Sequence, residues 1–355
     1  MSTNEATIPR RRQGRPWRWP LGAAACLAPL IAVAFVLGGT ATGLVYIGVL
    51  VTFVSLTLGP RVALGAALSV PAVVFVGLLL SNTAWAASLF MVVMGFGIVW
   101  SYKHGWQIAG TYVATQGALA VVAAPQLDFM SDYARSSVAS AAVSAGFVGA
   151  SALWVALLGF LLLYDLPKLP VKETTRHDRV VFGVALCLTL GVSTFVLMTF
   201  TSGGHAWWVL LTIMVVMEPG YGHTLRRSIE RAGGTVLGGA LAMLMIVWVH
   251  NSMALNIIGL LLAIGTAVTF IVAPYWVFAT SLTMAIVVLM TPAEHAVRAS
   301  YERVGYTVLA AIIAVVAAAL LDFIAKQSGH KIAAKVEQKL PSVAAPTPES
   351  DGDAL

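Results

Sequence analysis

The sequence predicts an all-α, polytopic membrane protein with about twelve transmembrane helices set out as two parallel six-helix repeats. Three observations carry this: composition, the spacing of apolar runs, and the sorting of positive charge. Of 355 residues, 59% are hydrophobic and 10% charged, and the mean hydropathy is +0.87. An average soluble domain is about 45–50% apolar and about 25% charged. Too few polar side chains exist to coat a soluble globule, whereas a chain dissolved in lipid needs no such coat. The length accommodates about a dozen helices of about 20 residues, which leaves no room for a large extramembrane catalytic domain.

Reading apolar runs between polar or Gly/Pro punctuation gives the elements in order. In the first half they are Leu21 to Leu37, Gly43 to Leu58, Val62 to Leu80, Trp85 to Trp100, Ile108 to Ala124 and Val138 to Tyr164. In the second they are Val180 to Phe200, Ala206 to Met217, Ala232 to Val249, Leu255 to Val272, Tyr275 to Met290 and Val304 to Phe323. The run ending at Met217 is short for a bilayer, so its polar end dips into the membrane. Pro71 falls mid-span, where neighbouring helices must satisfy the freed carbonyl.

Lysine and arginine test the count independently. With both ends inside, the inner segments hold Arg10, Arg11, Arg12, Arg15 and Arg18, then Arg61, Lys103, Lys168, Lys172, Arg176, Arg179, Arg226, Arg227, Arg231, Lys326, Lys331, Lys335 and Lys339, or 18 of 21. The outer segments keep Arg135, Arg298 and Arg303. This bias predicts an even number of spans with both termini cytoplasmic in a bacterial inner membrane. The net charge of +6 is read as this topology signal, not as a nucleic-acid footprint. Glu294 and Glu302 are expected in a solvated outer loop, paired with Arg298 and Arg303.

The polar stretch at 165–179 divides the chain into a basic N-terminus (1–19), a first membrane half (20–164), a cytoplasmic linker (165–179), a second membrane half (180–324) and a tail (325–355) expected to be disordered after 340. Shifting the first half by about 160 residues lays span on span and brings Gly59-Pro60 onto Glu218-Pro219, as parallel repeats require. Cys26 and Cys187 sit in apolar runs with no metal-like spacing. Trp85, Trp100, Trp106, Trp207, Trp248 and Trp276 read as interface anchors.

The informative segment runs from His205 to Leu244. A span ends in Glu218-Pro219, and proline disfavours helix at the residue before it. A carboxylate at a helix C-terminus faces the negative end of the dipole and calls for a cation. Arg227 and Arg231, four apart on one helical face, can fold back toward it, while Arg226 shares a face with Glu230. Ionisable groups at a span end beside a break mark a pathway. Gly234 and Gly238 have the spacing of close helix packing, and no phosphate-binding loop precedes or contains them.

The stretch from Trp207 to Gly239 resembles the signature of the fusaric acid resistance and aromatic acid exporter superfamily, through Trp208, Thr212, Pro219, Gly222, Thr224, Arg227, Arg231, Gly234, Thr235 and Gly238. It is also similar to plant aluminium-activated malate transporters at Glu218, Pro219, Gly222 and Thr224. The chain looks like a minimal form without the family's large cytoplasmic domain. The resemblance implies a secondary exporter of small aromatic or weakly acidic anions, proton-coupled, with a periplasmic adaptor protein as a partner and homo-oligomerisation left open. Glu218 would be the coupling carboxylate, Arg227 and Arg231 the anion contacts with Thr212 and Trp208 beside them, and Pro219, Gly222, Thr224, Gly234, Thr235 and Gly238 the turn and packing residues. His205 and His223 flank the same helix and read first as packing residues. Two alternatives stand: an anion channel, as the plant likeness suggests, and a non-transporting membrane subunit of an envelope efflux complex. No cofactor, metal or nucleic-acid partner is expected. No catalytic motif converges in the loops, so the chain reads as a non-enzyme.

Overall fold

The computed structural model describes residues 18–37, 39–124, 138–163, 174–201, 206–249, 251–290 and 296–339. These form twelve helices: α1 (Arg18–Val36), α2 (Gly39–Leu56), α3 (Pro60–Leu80), α4 (Ala84–Lys103), α5 (Gln107–Val122), α6 (Val138–Leu161), α7 (Arg176–Phe200), α8 (Trp207–Val216), α9 (Tyr221–Trp248), α10 (Ser252–Val272), α11 (Tyr275–Met290) and α12 (Ala296–Lys339). Each predicted run coincides with one helix. Among the described residues, six helices are long and apolar enough to cross a bilayer, at Pro60–Leu80, Ala84–Lys103, Val138–Leu161, Arg176–Phe200, Tyr221–Trp248 and Tyr301–Ile324. The protein is therefore an all-helical membrane protein. Residues 165–173 of the linker expected at 165–179 and the tail from 340 onward lie outside the described residues, and the linker's last four residues already belong to α7.

Local chemistry sets several boundaries. Gly59, at φ 127, turns the chain between α2 and α3, and Pro60 opens α3 where its missing N–H costs nothing. Thr175 caps α7: its Oγ1 accepts from the Asp178 N–H at 3.1 Å and donates to Asp178 Oδ2 at 2.7 Å. Pro71 does not end α3, which runs on to Leu80.

The helices pack in two groups. In the first, α3 lies on α5 and α6, α2 on α6, α4 on α5, and α1 on α2 and α6. In the second, α9 lies on α11 and α12, α8 on α12, α10 on α11, and α7 on α8 and α12. The groups meet where α4 packs on α7, α1 on α10 and α5 on α8. The innermost element is α8, whose Val209, Leu210, Ile213, Met214 and Val216 are all buried. Large apolar side chains on other helices point outward, including Leu89, Phe96, Leu188, Val192 and Phe200. Such a surface is costly in water and ordinary against acyl chains. Trp85, Trp100, Trp106, Trp248 and Trp276 are also exposed, the disposition expected of interface anchors. Cys26 and Cys187 are free and buried.

Two helix starts differ from the hydropathy reading. The ninth helix begins at Tyr221 and not near Ala232, and the twelfth at Ala296 and not near Val304. Both extensions carry charged residues, which lower local hydropathy without breaking a helix. Their consequence is positional: Arg231 lies almost three turns inside α9, and Arg303 about two turns inside α12.

Candidate functional site

The site is built around the break after α8. Ten residues rise about 15 Å, half the hydrocarbon thickness. The helix stops at Val216, Met217 is extended, and Gly220 turns the chain at φ 94 into α9. Non-helical backbone in a membrane protein needs internal partners. Thr224 supplies them: its fully buried Oγ1 accepts from the Glu218 N–H at 3.1 Å and donates to the Glu218 C=O at 2.9 Å. The requirement for positive φ thus falls on Gly220. Gly222, the turn glycine of the sequence reading, sits in the first turn of α9, with open space where a Cβ would go.

Replacing Thr224 by Val keeps the shape and removes both bonds, leaving two backbone groups of Glu218 unsatisfied at about 1–3 kcal/mol each where they are buried. A lower Tm is expected, with Thr224→Ser close to wild type; equal Tm values for Val and Ser would show that the hydroxyl does not hold the turn.

Glu218 and Arg227 face each other across this turn, Oε1 to Nε 3.8 Å, with side chains 24% and 34% exposed. So open and long an ion pair contributes little to stability. The Arg227 guanidinium lies 3.4 Å from the centroid of the Tyr275 ring, which opens α11, a cation–π contact worth about 0.5–2 kcal/mol. Arg226 instead pairs with Glu230 at 2.9 Å, one turn along the exposed face of α9. His223 is exposed, and His205 lies outside the described residues.

One buried stripe of α9 continues from the turn: Thr224, Ser228, Arg231, Thr235 and Gly238, spaced as one helical face. Arg231 is 1% exposed. Its Nε has no hydrogen-bond partner among the described residues, nor do Ser228 Oγ, Thr235 Oγ1 and, on α8, Thr212 Oγ1. Trp208, one turn before Thr212, is buried and stacks on Trp207 with ring centroids 3.8 Å apart. Gly234 and Gly238 bring this stripe against α11, where Trp276, Ala279, Thr280 and Thr283 meet them. Among the described residues, no group of three or more His, Cys, Asp or Glu side chains is placed to hold a metal ion.

The structure brings to the site residues that the sequence did not place there. Arg303 is not in a solvated loop: it is 4% exposed, its guanidinium 3.9 Å from the Trp208 ring centroid. The first membrane half contributes tyrosines in place of charges. Tyr102 lies within electrostatic reach of Glu218 and Arg227. Tyr112 lies within reach of Arg227, Arg231, Tyr275 and Tyr46, and its ring meets Phe270 of α10 edge to face at 6.1 Å.

A discontinuous helix, small-residue packing and arginines inside an all-helical bundle define a polytopic membrane protein with a polar interior. Residues 180–317 match the family described as fusaric acid resistance protein-like. The chain is also similar to the inner membrane protein YeeA of Escherichia coli (strain K12), 33% identical over 93 residues, which take in 22% of this chain and 26% of that protein. The match thus spans about a quarter of that relative's length. No solved structure matches the chain.

Proposed function

We propose that the protein is a secondary transporter that exports small organic, weakly acidic anions across a bacterial inner membrane, coupled to protons. The observation that carries this reading is the pairing of a helix break at Glu218 with a buried Arg231 on the next helix, whose Nε has no hydrogen-bond partner among the described residues. A buried cation with no carboxylate partner among the described residues is expensive in lipid and marks a route for an anion. Arg227 stands at the mouth, where basic charge concentrates anions. Glu218 exchanges Arg227 for a proton as substrate arrives, and their weak ion pair makes that exchange cheap. The family match over 180–317 and the inner-membrane relative support the class of function.

The architecture proposed with it is twelve spans in two parallel repeats, both termini cytoplasmic. Its support is the pairing of helices: seven helix pairings within α1–α6 recur within α7–α12 at a shift of six helices, and α4 on α7 is matched by α10 on α1. A positive-φ glycine turns the chain after both α2 and α8. A periplasmic adaptor remains the proposed partner.

The test is flux in proteoliposomes under an imposed pH gradient. Wild-type flux should follow the gradient, and Glu218→Gln should retain substrate movement while losing its dependence on pH. Full coupling in that variant clears Glu218 of the role. Wild-type flux that follows only substrate gradient and voltage reassigns the protein as an anion channel.

A further inference from the structure

Arg303 and Arg231 are both buried, at 4% and 1% exposure, on neighbouring helices α12 and α9. Arg231 lies within electrostatic range of Arg303, and neither forms an ion pair with a carboxylate among the described residues. Two like charges in an apolar interior repel each other and are stripped of water, so the arrangement persists only if something negative visits it. The geometry of Arg303 states what kind of anion. Its face is covered by the Trp208 ring at 3.9 Å, which leaves the N–H groups in the guanidinium plane. Its two atoms without a hydrogen-bond partner among the described residues are Nε and Nη2. These lie side by side on one edge of the guanidinium, the fork that matches the two oxygens of a carboxylate.

We infer that Arg303 and Arg231 form an occluded carboxylate site, in which the Nε–Nη2 edge of Arg303 takes both oxygens and Arg231 supplies the second positive charge. Trp208 holds the fork in place by its face, and Thr212, one turn along α8, carries a hydroxyl that has no partner of its own among the described residues. An apolar wall lies close by. Tyr46 lies within electrostatic range of Arg303 and also lines a small cavity of about 40 Å³ whose other walls include Cys26, Leu27, Phe53, Phe270 and Phe278. A carboxylate on an apolar body suits that juxtaposition. This assignment rests on the transport reading and names the group within it that recognises substrate.

The test uses the full chain in nanodiscs and in proteoliposomes, with benzoate as probe and chloride as the non-planar comparison. Benzoate should raise the Tm of the wild type more than chloride at equal concentration. Arg303→Met should insert, be at least as stable without ligand, and lose the benzoate shift. Arg303→Lys keeps the charge and loses the fork, so its benzoate affinity should fall at least about tenfold, the worth of one charge-assisted hydrogen bond, with its chloride response retained. If Arg303→Met fails to fold, Arg303→Lys decides: wild-type benzoate affinity overturns the assignment. So does a benzoate shift that survives in Arg303→Met. Failure of the wild type to move any organic anion sinks the transport reading itself, whereas wild-type flux that persists unchanged in Arg303→Met sinks this site alone.

Discussion

Arg231→Met should cut organic-anion flux by about 10- to 100-fold and leave the protein inserted and no less stable than the wild type. The split between the two effects is what makes the experiment decisive. Removing one member of a buried ion pair costs about 3–5 kcal/mol because it strands the other charge. Arg231 strands nothing: it is 1% exposed, its Nε has no partner, and no carboxylate among the described residues pairs with it. Methionine fills similar volume with no charge to desolvate, so the folded state loses a liability. Transport loses the contact that an anion makes inside the bundle, and a charge-assisted hydrogen bond of about 1.5–3 kcal/mol accounts for one to two decades of rate. Flux in proteoliposomes and Tm in nanodiscs read the two consequences separately. Wild-type flux in this variant removes Arg231 from the mechanism, and a large fall in Tm makes it a structural residue.

How far this site was legible in the sequence depends on what kind of signal each residue leaves. Glu218, Pro219 and Thr224 are adjacent or nearly so, and the chemistry of a helix end beside a proline predicts a turn before any coordinates exist. The spacing of Gly234 and Gly238 likewise announces a close helix contact. Arg303 left a misleading signal. Windowed hydropathy places the helix start after a charged residue, so the same charge that gives Arg303 its role moved it into a loop on paper. The register would have found it, since Arg303 lies four residues before the buried Thr307 and seven before the buried Ala310, on one helical face. Tyr46 and Tyr112 were out of reach for a different reason. Their relation to Arg231 and Arg303 exists only when the first membrane half packs on the second, and no local pattern encodes a contact between residues so far apart in the chain. Gly220 and Gly222 are both plausible turn residues by composition, and only the backbone shows which one adopts positive φ.

Everything at the site also depends on how closely α9 approaches α11, and Gly238→Ala should therefore cause a large loss of folded protein. A Cβ on Gly238 would lie 2.5 Å from the Thr280 carbonyl oxygen and 2.9 Å from Thr283 Cβ; on Gly234 it would lie 2.7 Å from Ala279 Cβ and 2.8 Å from the Trp276 carbonyl oxygen. The opposing atoms are largely backbone, which cannot swing aside as a side chain can, so the helices must separate. Overpacking of this kind costs about 1–3 kcal/mol or more. Gly233, one residue from the stripe, has open space where its Cβ would go. Gly233→Ala should be neutral or stabilising by about 0.5–1 kcal/mol, because alanine favours helix over glycine. Since α9 also positions Arg227 and Arg231, a Gly238→Ala protein that does fold should show reduced flux with both arginines intact, a loss that Gly233→Ala does not share. Equal Tm values for Gly233→Ala and Gly238→Ala would mean that α9 and α11 are not in backbone contact, and that the buried arginines are positioned by some other surface.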